Sequence, residues 1–284
     1  MIELKNEKLT VLIKEFGAEI ASVKNAAGRE YFWCGDKKFW GGQAPVLFPV
    51  CGKLLNLAFR HKGKTYTMKG HGFARNKTFR AEKIGDTCAV FTLCDDEETR
   101  AQYPFAFRLS VRYELNGESI VITNSVENTG DETMYFNFGS HEAYAADGNF
   151  EDWSVEFEKT ENLRILEQIG PAYLTGRVLP FRDGVKELKL SYAMFEEASL
   201  AFDKIQSRAA TLKCCGKPVV HVDFAGFDQL LLWTKPNAPF ICIEPWNGVP
   251  DYVDADGELS HKRGILALEA GKTYSMPHTL QFFD

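Results

Sequence analysis

Alternation between apolar and polar side chains is the feature that most constrains how this chain can fold. From Leu109 to Leu115 every second residue is apolar, and a second β-rich segment at 118–123 follows after Asn116-Gly117. A period of two places alternate side chains on opposite faces of a strand. Asn and Gly tolerate the positive φ angles of a tight hairpin turn. The region therefore predicts an antiparallel β-hairpin.

Short segments of similar character recur along the chain, bounded by Gly, Asn, Asp or Pro. Further strands are predicted at Thr10–Phe16, Thr65–Met68, Cys88–Cys94, Trp153–Glu158, Val219–Phe224, Leu230–Thr234, Phe240–Glu244 and Tyr274–Phe283. Only two short helices are predicted, over Asp95–Tyr103 and Tyr192–Ala198. Many short strands with frequent turns favour a sandwich or barrel. We expect an all-β protein, a large antiparallel β-sandwich with few short helices, forming one domain over residues 1–284 because no linker or repeat divides it.

Composition and charge narrow the possible partners. The 33 basic residues are scattered among 39 acidic ones, for a net charge of −6, which argues against a nucleic-acid partner. No apolar run approaches the roughly 20 residues of a membrane span, and the polar start Met1–Lys5 is unlike a signal peptide. The seven cysteines include no C-x-x-C pair. We predict a cytoplasmic monomer or homodimer with no membrane partner, metal or cofactor.

Gly70–Arg75 is the first of three segments that carry candidate functional groups. A histidine between two glycines, His71, leaves backbone room for a ligand to approach. Arg75 can hydrogen-bond hydroxyl groups or an anionic group. A turn that contains a His and an Arg for structural reasons is the alternative interpretation.

The other two segments lie at predicted strand ends. His141 follows the strand-like Tyr135–Phe138 and a glycine, in a position where loops often carry function. Glu244 ends the apolar run that begins at Phe240, next to Pro245 and Trp246. A carboxylate in an apolar strand is costly unless it is paired or functional, and burial raises its pKa, which suits a general base. A Glu held by a local salt bridge, and a His satisfied structurally, are the alternatives.

Taken together, these segments resemble the aldose 1-epimerase, or galactose mutarotase-like, superfamily, and its bacterial LacX-like branch in particular. The motifs are His-Gly-Phe-Ala-Arg at 71–75, Gly-x-His at 139–141 and Ile-Glu-Pro-Trp-Asn-Gly at 243–248. Ala44–Pro49, Tyr103–Phe105, Asn128–Asp131 and Lys262–Ile265 extend the resemblance over nearly the whole chain. The resemblance implies a large antiparallel sandwich with a sugar site in a cleft on one sheet.

The resemblance also implies roles for individual residues. Glu244 matches a general base that takes the proton from the anomeric hydroxyl, and His141 matches the general acid that protonates the ring oxygen. His71 matches a second histidine that hydrogen-bonds the ring oxygen. Ring opening and closure by these groups would interconvert the α and β anomers of a hexose without a metal or redox cofactor.

Substrate contacts are expected from residues near these three. Phe73 and Trp246 are predicted to form the wall of the site, and Arg75 to bind substrate. Lys53 stands where the family usually has Arg, and Glu142 where it often has Pro. We expect Lys53 to donate to a sugar hydroxyl and Glu142 to add a carboxylate that affects His141.

Two questions stay open at the level of sequence. The substrate-orienting Asp of the family has no clear match, and the candidates are Glu196, Glu197 and Asp203. The activity could also be that of a hexose-6-phosphate 1-epimerase, with Arg75, Lys53 and Arg60 meeting the phosphate. A non-catalytic carbohydrate-binding protein on the same fold is the third possibility.

Overall fold

The protein is described by a computed structural model over residues 1–170 and 173–284. Its strands are β1 (Ile2–Lys5), β2 (Leu9–Ile13), β3 (Ile20–Asn25), β4 (Ala58–His61), β5 (Lys64–Thr67), β6 (Arg80–Ile84), β7 (Cys88–Cys94), β8 (Phe107–Asn116), β9 (Ser119–Asn128), β10 (Met134–Phe136), β11 (Phe138–Gly139), β12 (Glu142–Ala145), β13 (Trp153–Ile169), β14 (Tyr173–Lys189), β15 (Leu200–Phe202), β16 (Ala209–Cys214), β17 (Lys217–Asp223), β18 (Gln229–Trp233), β19 (Phe240–Asn247), β20 (Leu266–Leu268) and β21 (Thr273–Phe282).

Helical structure is confined to short pieces. The one α-helix within the described ranges, α1, spans Glu97–Gln102, inside the predicted segment Asp95–Tyr103. Asp96 accepts a hydrogen bond from the Thr99 N–H, and the Thr99 hydroxyl accepts one from the Asp96 N–H, so a capping box fixes where the helix begins. Single 3₁₀ turns lie at Leu55–Leu57, Ala74–Asn76, Phe150–Asp152, Tyr192–Phe195 and Leu259–His261. None of the helices in these ranges has the length and apolar character needed to cross a bilayer.

A single sheet of fourteen antiparallel strands dominates the architecture. Its order is β11-β19-β18-β15-β13-β16-β17-β21-β9-β8-β7-β6, with β12 also paired to β19 and β14 to β13. Phe91 and Leu109, near one end of this order, share one buried cluster with Leu230 and Ile243, near the other end. The sheet therefore folds over on itself around a common core, which confirms the predicted β-sandwich.

The predicted hairpin is present with the expected register. Leu115 on β8 faces Ile120 on β9, and Asn116 faces Ser119 across the Asn-Gly turn. The strand predicted at Trp153–Glu158 is much longer, because β13 continues to Ile169 and pairs with the equally long β14 through several bulges. β14 was not expected, since most of its side chains are exposed and its sequence lacks a clean period of two.

Strand β19 carries the candidate base into the interior of the protein. All eight of its residues are buried. Ile241 and Ile243 belong to the main core, so the alternate residues Cys242, Glu244 and Trp246 project from the opposite face of the sheet. Neighbouring strands on both sides hold this part of β19, with Glu244 registered to Leu231 of β18 and Ile243 to Glu142 of β12.

Close backbone packing holds the turn that carries His71. The His71 N–H donates to the Gly52 carbonyl at 2.7 Å, and the Phe73 N–H donates to the Phe48 carbonyl at 3.0 Å. Gly72 has φ +70°, and a Cβ atom there would lie 2.1 Å from the Phe48 oxygen. The glycine next to His71 thus lets two backbone segments touch, rather than leaving the room for a ligand that the sequence suggested.

This packing predicts a large loss of stability for Gly72→Ala, with Gly63→Ala as the matched control. Gly63 has a similar φ of +77° but nothing within 4 Å of a Cβ atom. The left-handed backbone alone costs an alanine about 1–2 kcal/mol. We expect Gly63→Ala to lose that amount in chemical denaturation, and Gly72→Ala to lose at least about 2 kcal/mol more because of the steric clash. Equal losses would show that the contact with Phe48 relaxes freely.

Candidate active site

A cleft of about 740 Å³ opens on the face of the sheet from which Glu244 projects. Its lining comes from distant parts of the chain and includes Trp40, Lys53, His71, Arg75, His141, Glu196, Glu197, Trp233, Glu244 and Trp246. The structure therefore brings together the two histidines and the carboxylate that the sequence singled out. A cavity of this size with a few convergent polar groups is typical of a small-molecule site.

Glu244 is a buried carboxylic acid at the floor of this cleft. Only 2% of the residue is exposed. Burial raises the pKa of Glu244 well above its ordinary value of 4.5, and the nearby Glu142 carboxylate raises it further. A carboxyl group with a raised pKa can take up and release a proton closer to neutral pH, as a general base requires.

His141 lies between β11 and β12, enclosed by two indole rings. Trp40 stacks on its imidazole with 4.8 Å between ring centroids, and Trp233 meets it edge-on at 5.5 Å. Burial lowers the pKa of His141 well below its ordinary value, and the charge of Arg75 contributes in the same direction. The ring is therefore held in one orientation and in a poorly solvated environment.

Glu244 and His141 face each other but do not form a hydrogen bond. His141 Nδ1 lies 3.4 Å from Glu244 Oε2, and neither atom has a hydrogen-bond partner among the residues the structure describes. Buried polar atoms are nearly always paired in proteins, so this pair fits a ligand that offers hydroxyl and ether oxygens. Burial raises the pKa of Glu244 and lowers that of His141, so it favours the uncharged form of each group.

His71 stands beside this pair with its tautomer fixed by the backbone. Its ring lies 5.7 Å from that of His141, and its Nδ1 accepts a hydrogen bond from the Gly52 N–H at 3.3 Å. The pKa of His71 is lowered to about 3, first by burial and then by Arg75 and Lys53, so the ring is neutral at pH 7. A neutral imidazole that accepts at Nδ1 carries its proton on Nε2 and can donate it to an oxygen.

The backbone of His71 is itself unusual. Its φ is +65°, a left-handed conformation that a residue with a Cβ atom adopts at a cost of about 1–2 kcal/mol. Such conformations cluster at functional sites, where the surrounding structure enforces them. Here the hydrogen bond to Gly52 and the packing of Gly72 against Phe48 supply that constraint.

Cationic and aromatic side chains complete the wall. Arg75, on the 3₁₀ turn after His71, and Lys53 both line the cleft, as predicted for substrate contacts. Burial lowers the pKa of Arg75, yet a guanidinium remains charged under all ordinary conditions. Trp246 also lines the cleft, and its indole N–H donates to the Ser140 carbonyl at 3.1 Å.

Trp40 and Trp233 are site residues that the sequence did not reveal. Trp40 sits in a loop with no recognisable motif. Trp233 lies on the same face of β18 as Leu231, whose register partner is Glu244. Its place in the cleft follows only once the pairing of β18 with β19 is known. An aromatic face suits a pyranose, whose C–H groups form a flat apolar surface.

Phe73 and Glu142, which were predicted to contact the substrate, do not line the cleft. Phe73 is 4% exposed and packs against Phe48, Tyr103 and Phe107 in the core, because the left-handed turn at 71–72 directs it inward. Glu142 does not line the cleft, since its register with Ile243 places it on the core side of the sheet, where it meets His278. Of the candidates for an orienting carboxylate, Glu196 and Glu197 line the cleft, whereas Asp203 does not.

The remaining four histidines lie outside the cleft. Thr211, Asp256 and Glu142 are hydrogen-bond partners of His221, His261 and His278, and the Glu132 carboxylate lies 3.4 Å from His61 Nε2 without completing a hydrogen bond. A second cavity, of about 170 Å³, lies beside the loop 254–263. Three ion pairs lie along it, Arg263 with Asp254 at 2.7 Å, Lys262 with Asp251 and His261 with Asp256, so the described residues around it hold no facing pair of unsatisfied acid and base groups like that of the cleft.

One set of donor atoms in the cleft is compatible with a metal. His141, Cys242 and Glu244 each offer a ligand atom, and these lie within 4.8 Å of one another. A tetrahedral zinc site needs such donors about 2.0–2.3 Å from the ion. The separation permits an ion without requiring one, and the imidazole and carboxylate are also the acid–base pair described above. We therefore assign no metal site to these residues.

Known proteins resemble this chain over its whole length. The family described as Aldose 1-epimerase matches residues 1–266. The chromosomal protein LacX of Lactococcus lactis subsp. lactis is 36% identical, over 95% of this chain and 96% of its own, and the plasmid form gives the same values.

Solved structures give the same result for the fold. A galactose mutarotase related enzyme from Lactobacillus acidophilus is 32% identical with a TM-score of 0.92, covering 100% of this chain and 97% of its own. A galactose mutarotase-like protein from Lactobacillus casei ATCC 334 is 30% identical with a TM-score of 0.94, covering 100% of both chains. On the strength of the family match and the relatives at 30% identity or more, this chain belongs to the aldose 1-epimerase family.

Proposed function

We propose that this protein is an aldose 1-epimerase that interconverts the α and β anomers of a free hexose. The observation that carries the proposal is the buried, mutually unsatisfied pair of Glu244 Oε2 and His141 Nδ1, 3.4 Å apart in the cleft. Membership of the aldose 1-epimerase family supports it, as does the description of its relatives as galactose mutarotase-like.

Ring opening needs two proton transfers at neighbouring oxygens. Glu244 takes the proton from the anomeric O1 hydroxyl while an imidazole delivers one to the ring oxygen. The electron pair of the O1–H bond forms the carbonyl at C1, and the bond from C1 to the ring oxygen breaks. His141 is the proton donor when the proton of the pair sits on its ring and Glu244 is ionised, and its orientation beside Glu244 is fixed by Trp40 and Trp233.

Ring closure reverses these transfers after rotation about the C1–C2 bond. The same two groups exchange roles, so each must act as both acid and base. The 3.4 Å separation of His141 Nδ1 from Glu244 Oε2 suits that demand, because both groups reach the same part of the cleft and can serve in either direction. His71, neutral with its proton on Nε2, donates a hydrogen bond that stabilises charge developing on the ring oxygen. The scheme requires no metal or redox cofactor.

The lining of the cleft favours a neutral sugar over a sugar phosphate. Arg75 and Lys53 supply positive charge, but Glu196 and Glu197 line the same cleft and would repel a phosphate dianion. Arg60, the third residue considered for phosphate, is committed elsewhere through a 2.8 Å hydrogen bond to the Asp256 carbonyl. Acidic and basic groups in one cleft are suited to binding sugar hydroxyls, which both donate and accept.

Glu244→Gln tests the acid–base assignment. The amide keeps the size of the side chain but cannot accept the O1 proton, so we expect kcat for anomer exchange to fall about 10²–10⁴-fold with KM changed little. Exchange of glucose and galactose anomers is measured by polarimetry or NMR, above the uncatalysed rate. Glu127→Gln, on β9 and paired with Arg108, is the matched control. Sugar binding without exchange in the wild type would instead indicate a non-catalytic carbohydrate-binding protein.

The dependence of activity on pH follows from the raised pKa of Glu244. A protonated Glu244 cannot act as base, and a raised pKa keeps it protonated to a higher pH. Activity should therefore be lost on acidification with a midpoint above 4.5, the ordinary glutamate value. The profile of kcat/KM against pH reports this group in the free enzyme. A midpoint below 4.5 would contradict the proposed environment of the base.

A comparison of glucose with glucose 6-phosphate tests the substrate class. The carboxylates of Glu196 and Glu197 should make kcat/KM lower for the phosphate. Glu196→Gln combined with Glu197→Gln should narrow this difference, because it removes the repulsion while preserving side-chain size. A wild-type preference for the phosphate would favour a hexose-6-phosphate 1-epimerase.

A further inference from the structure

A second carboxylate–imidazole pair lies directly behind the cleft. Glu142 Oε1 is 3.1 Å from His278 Nε2, and both residues are buried, at 4% and 2% exposure. They occupy the core side of the sheet, since Glu142 is registered with the core residue Ile243. Neither lines the cleft, so neither contacts substrate in the proposed reaction.

The geometry around His278 singles out His141. His278 Nε2 is within 3.1 Å of Glu142 Oε1 and within 3.5 Å of Ser140 Oγ. The side chains of Ser140 and Glu142, immediately before and after His141, therefore both contact the same ring nitrogen of His278. Side chains alternate between the faces of an extended chain, so residues 140 and 142 facing the core require residue 141 to face the cleft.

We propose that the Glu142–His278 pair is a positioning pair for the epimerase centre, holding the segment 140–142 from behind so that His141 is aimed at Glu244. This inference rests on the proposed function and extends it to two residues that do not touch the sugar. Glu142 acts on the site indirectly, through the backbone segment that carries His141.

The pair is poorly explained by stability alone. Glu142 Oε2 and His278 Nδ1 lack hydrogen-bond partners within the described ranges, so each group is only half satisfied. Replacing a buried polar pair by well-packed apolar residues is often neutral or stabilising. A role in positioning the adjacent acid–base pair would explain why these two buried groups are present despite their cost in stability.

The charge of Glu142 also connects the two sides of the sheet, because it affects the pKa of Glu244. The Glu142 carboxylate contributes, after burial, to the raised pKa of Glu244. The titratable and charged groups that face Glu142 and Glu244 from the packed elements are His278 on β21, Tyr113 on β8, Tyr144 on β12, Cys242 on β19, the buried thiol of Cys51, and His141 and Arg75 in the cleft. Removing the charge of Glu142 should therefore make Glu244 more acidic.

The variants Glu142→Gln and His278→Gln separate the positioning of His141 from the effect of the Glu142 charge on Glu244. Both variants should lower kcat roughly 10- to 100-fold with KM within about twofold, because the donor is misaligned while the cleft is intact. In Glu142→Gln the acid limb of the pH profile should also move to lower pH. In His278→Gln the carboxylate remains, so the limb should not move in that direction. Wild-type kcat and pH profile in Glu142→Gln would overturn the proposal, even if the melting temperature fell.

The NMR signal of His141 tests the positioning role without depending on catalytic turnover. Histidine-labelled protein gives ring NMR signals for six histidines, and the His141 signal is assigned by its loss in His141→Gln. We expect Glu142→Gln to shift the His141 signal and the matched control His221→Gln to leave it unchanged. Ser140→Ala, which removes the weaker contact, serves if Glu142→Gln does not fold.

The outcomes are distinguishable. A wild-type protein without anomer exchange, but with a His141 signal that responds to Glu142→Gln, would refute the proposed function and leave the positioning role intact. An active wild type whose kcat and pH profile are unchanged in Glu142→Gln would refute the positioning role alone.

Discussion

The burial of Glu244 opposite His141 is the constraint on which the rest of the structure depends. A carboxyl group removed from water is costly unless something compensates it, and here its closest cleft partner is an imidazole that does not complete a hydrogen bond. The fourteen-stranded sheet makes this possible, because neighbours on both sides of β19 fix the Glu244 backbone and hold the side chain at the floor of the cleft. The strained turn at His71 and the indoles of Trp40 and Trp233 enclose the same small volume.

The site is built in two layers separated by a single sheet. On the cleft side lie groups suited to moving protons, and on the core side lies a second carboxylate–imidazole pair that engages the segment bearing His141. A β-sheet couples such layers efficiently, since consecutive residues face opposite sides and cannot rotate independently. The identity of Glu142 therefore matters to the cleft even though its side chain points away from it.

Sequence reasoning predicted the fold and singled out His71, His141 and Glu244, which line one cleft, and its failures have physical causes. Alternation and the Asn-Gly turn were enough to place β8 and β9, because one face of each strand is buried. β14 was missed since most of its side chains are solvent-exposed and carry no burial pattern. Phe73 and Glu142 were placed near the catalytic residues by adjacency in sequence, but the turn at His71 and the alternation along β12 send them into the core. Trp40 and Trp233 depend on contacts between distant segments, which no local pattern encodes.

The enclosure of His141 between two indoles has a practical consequence. Tryptophan emission is sensitive to the polarity and the protonation state of its immediate surroundings, and Trp40, Trp233 and Trp246 are three of only five tryptophans in the chain. A sugar that displaces solvent from the cleft would change the environment of all three at once. The protein thus contains an intrinsic optical reporter for ligand occupancy, with no label to attach.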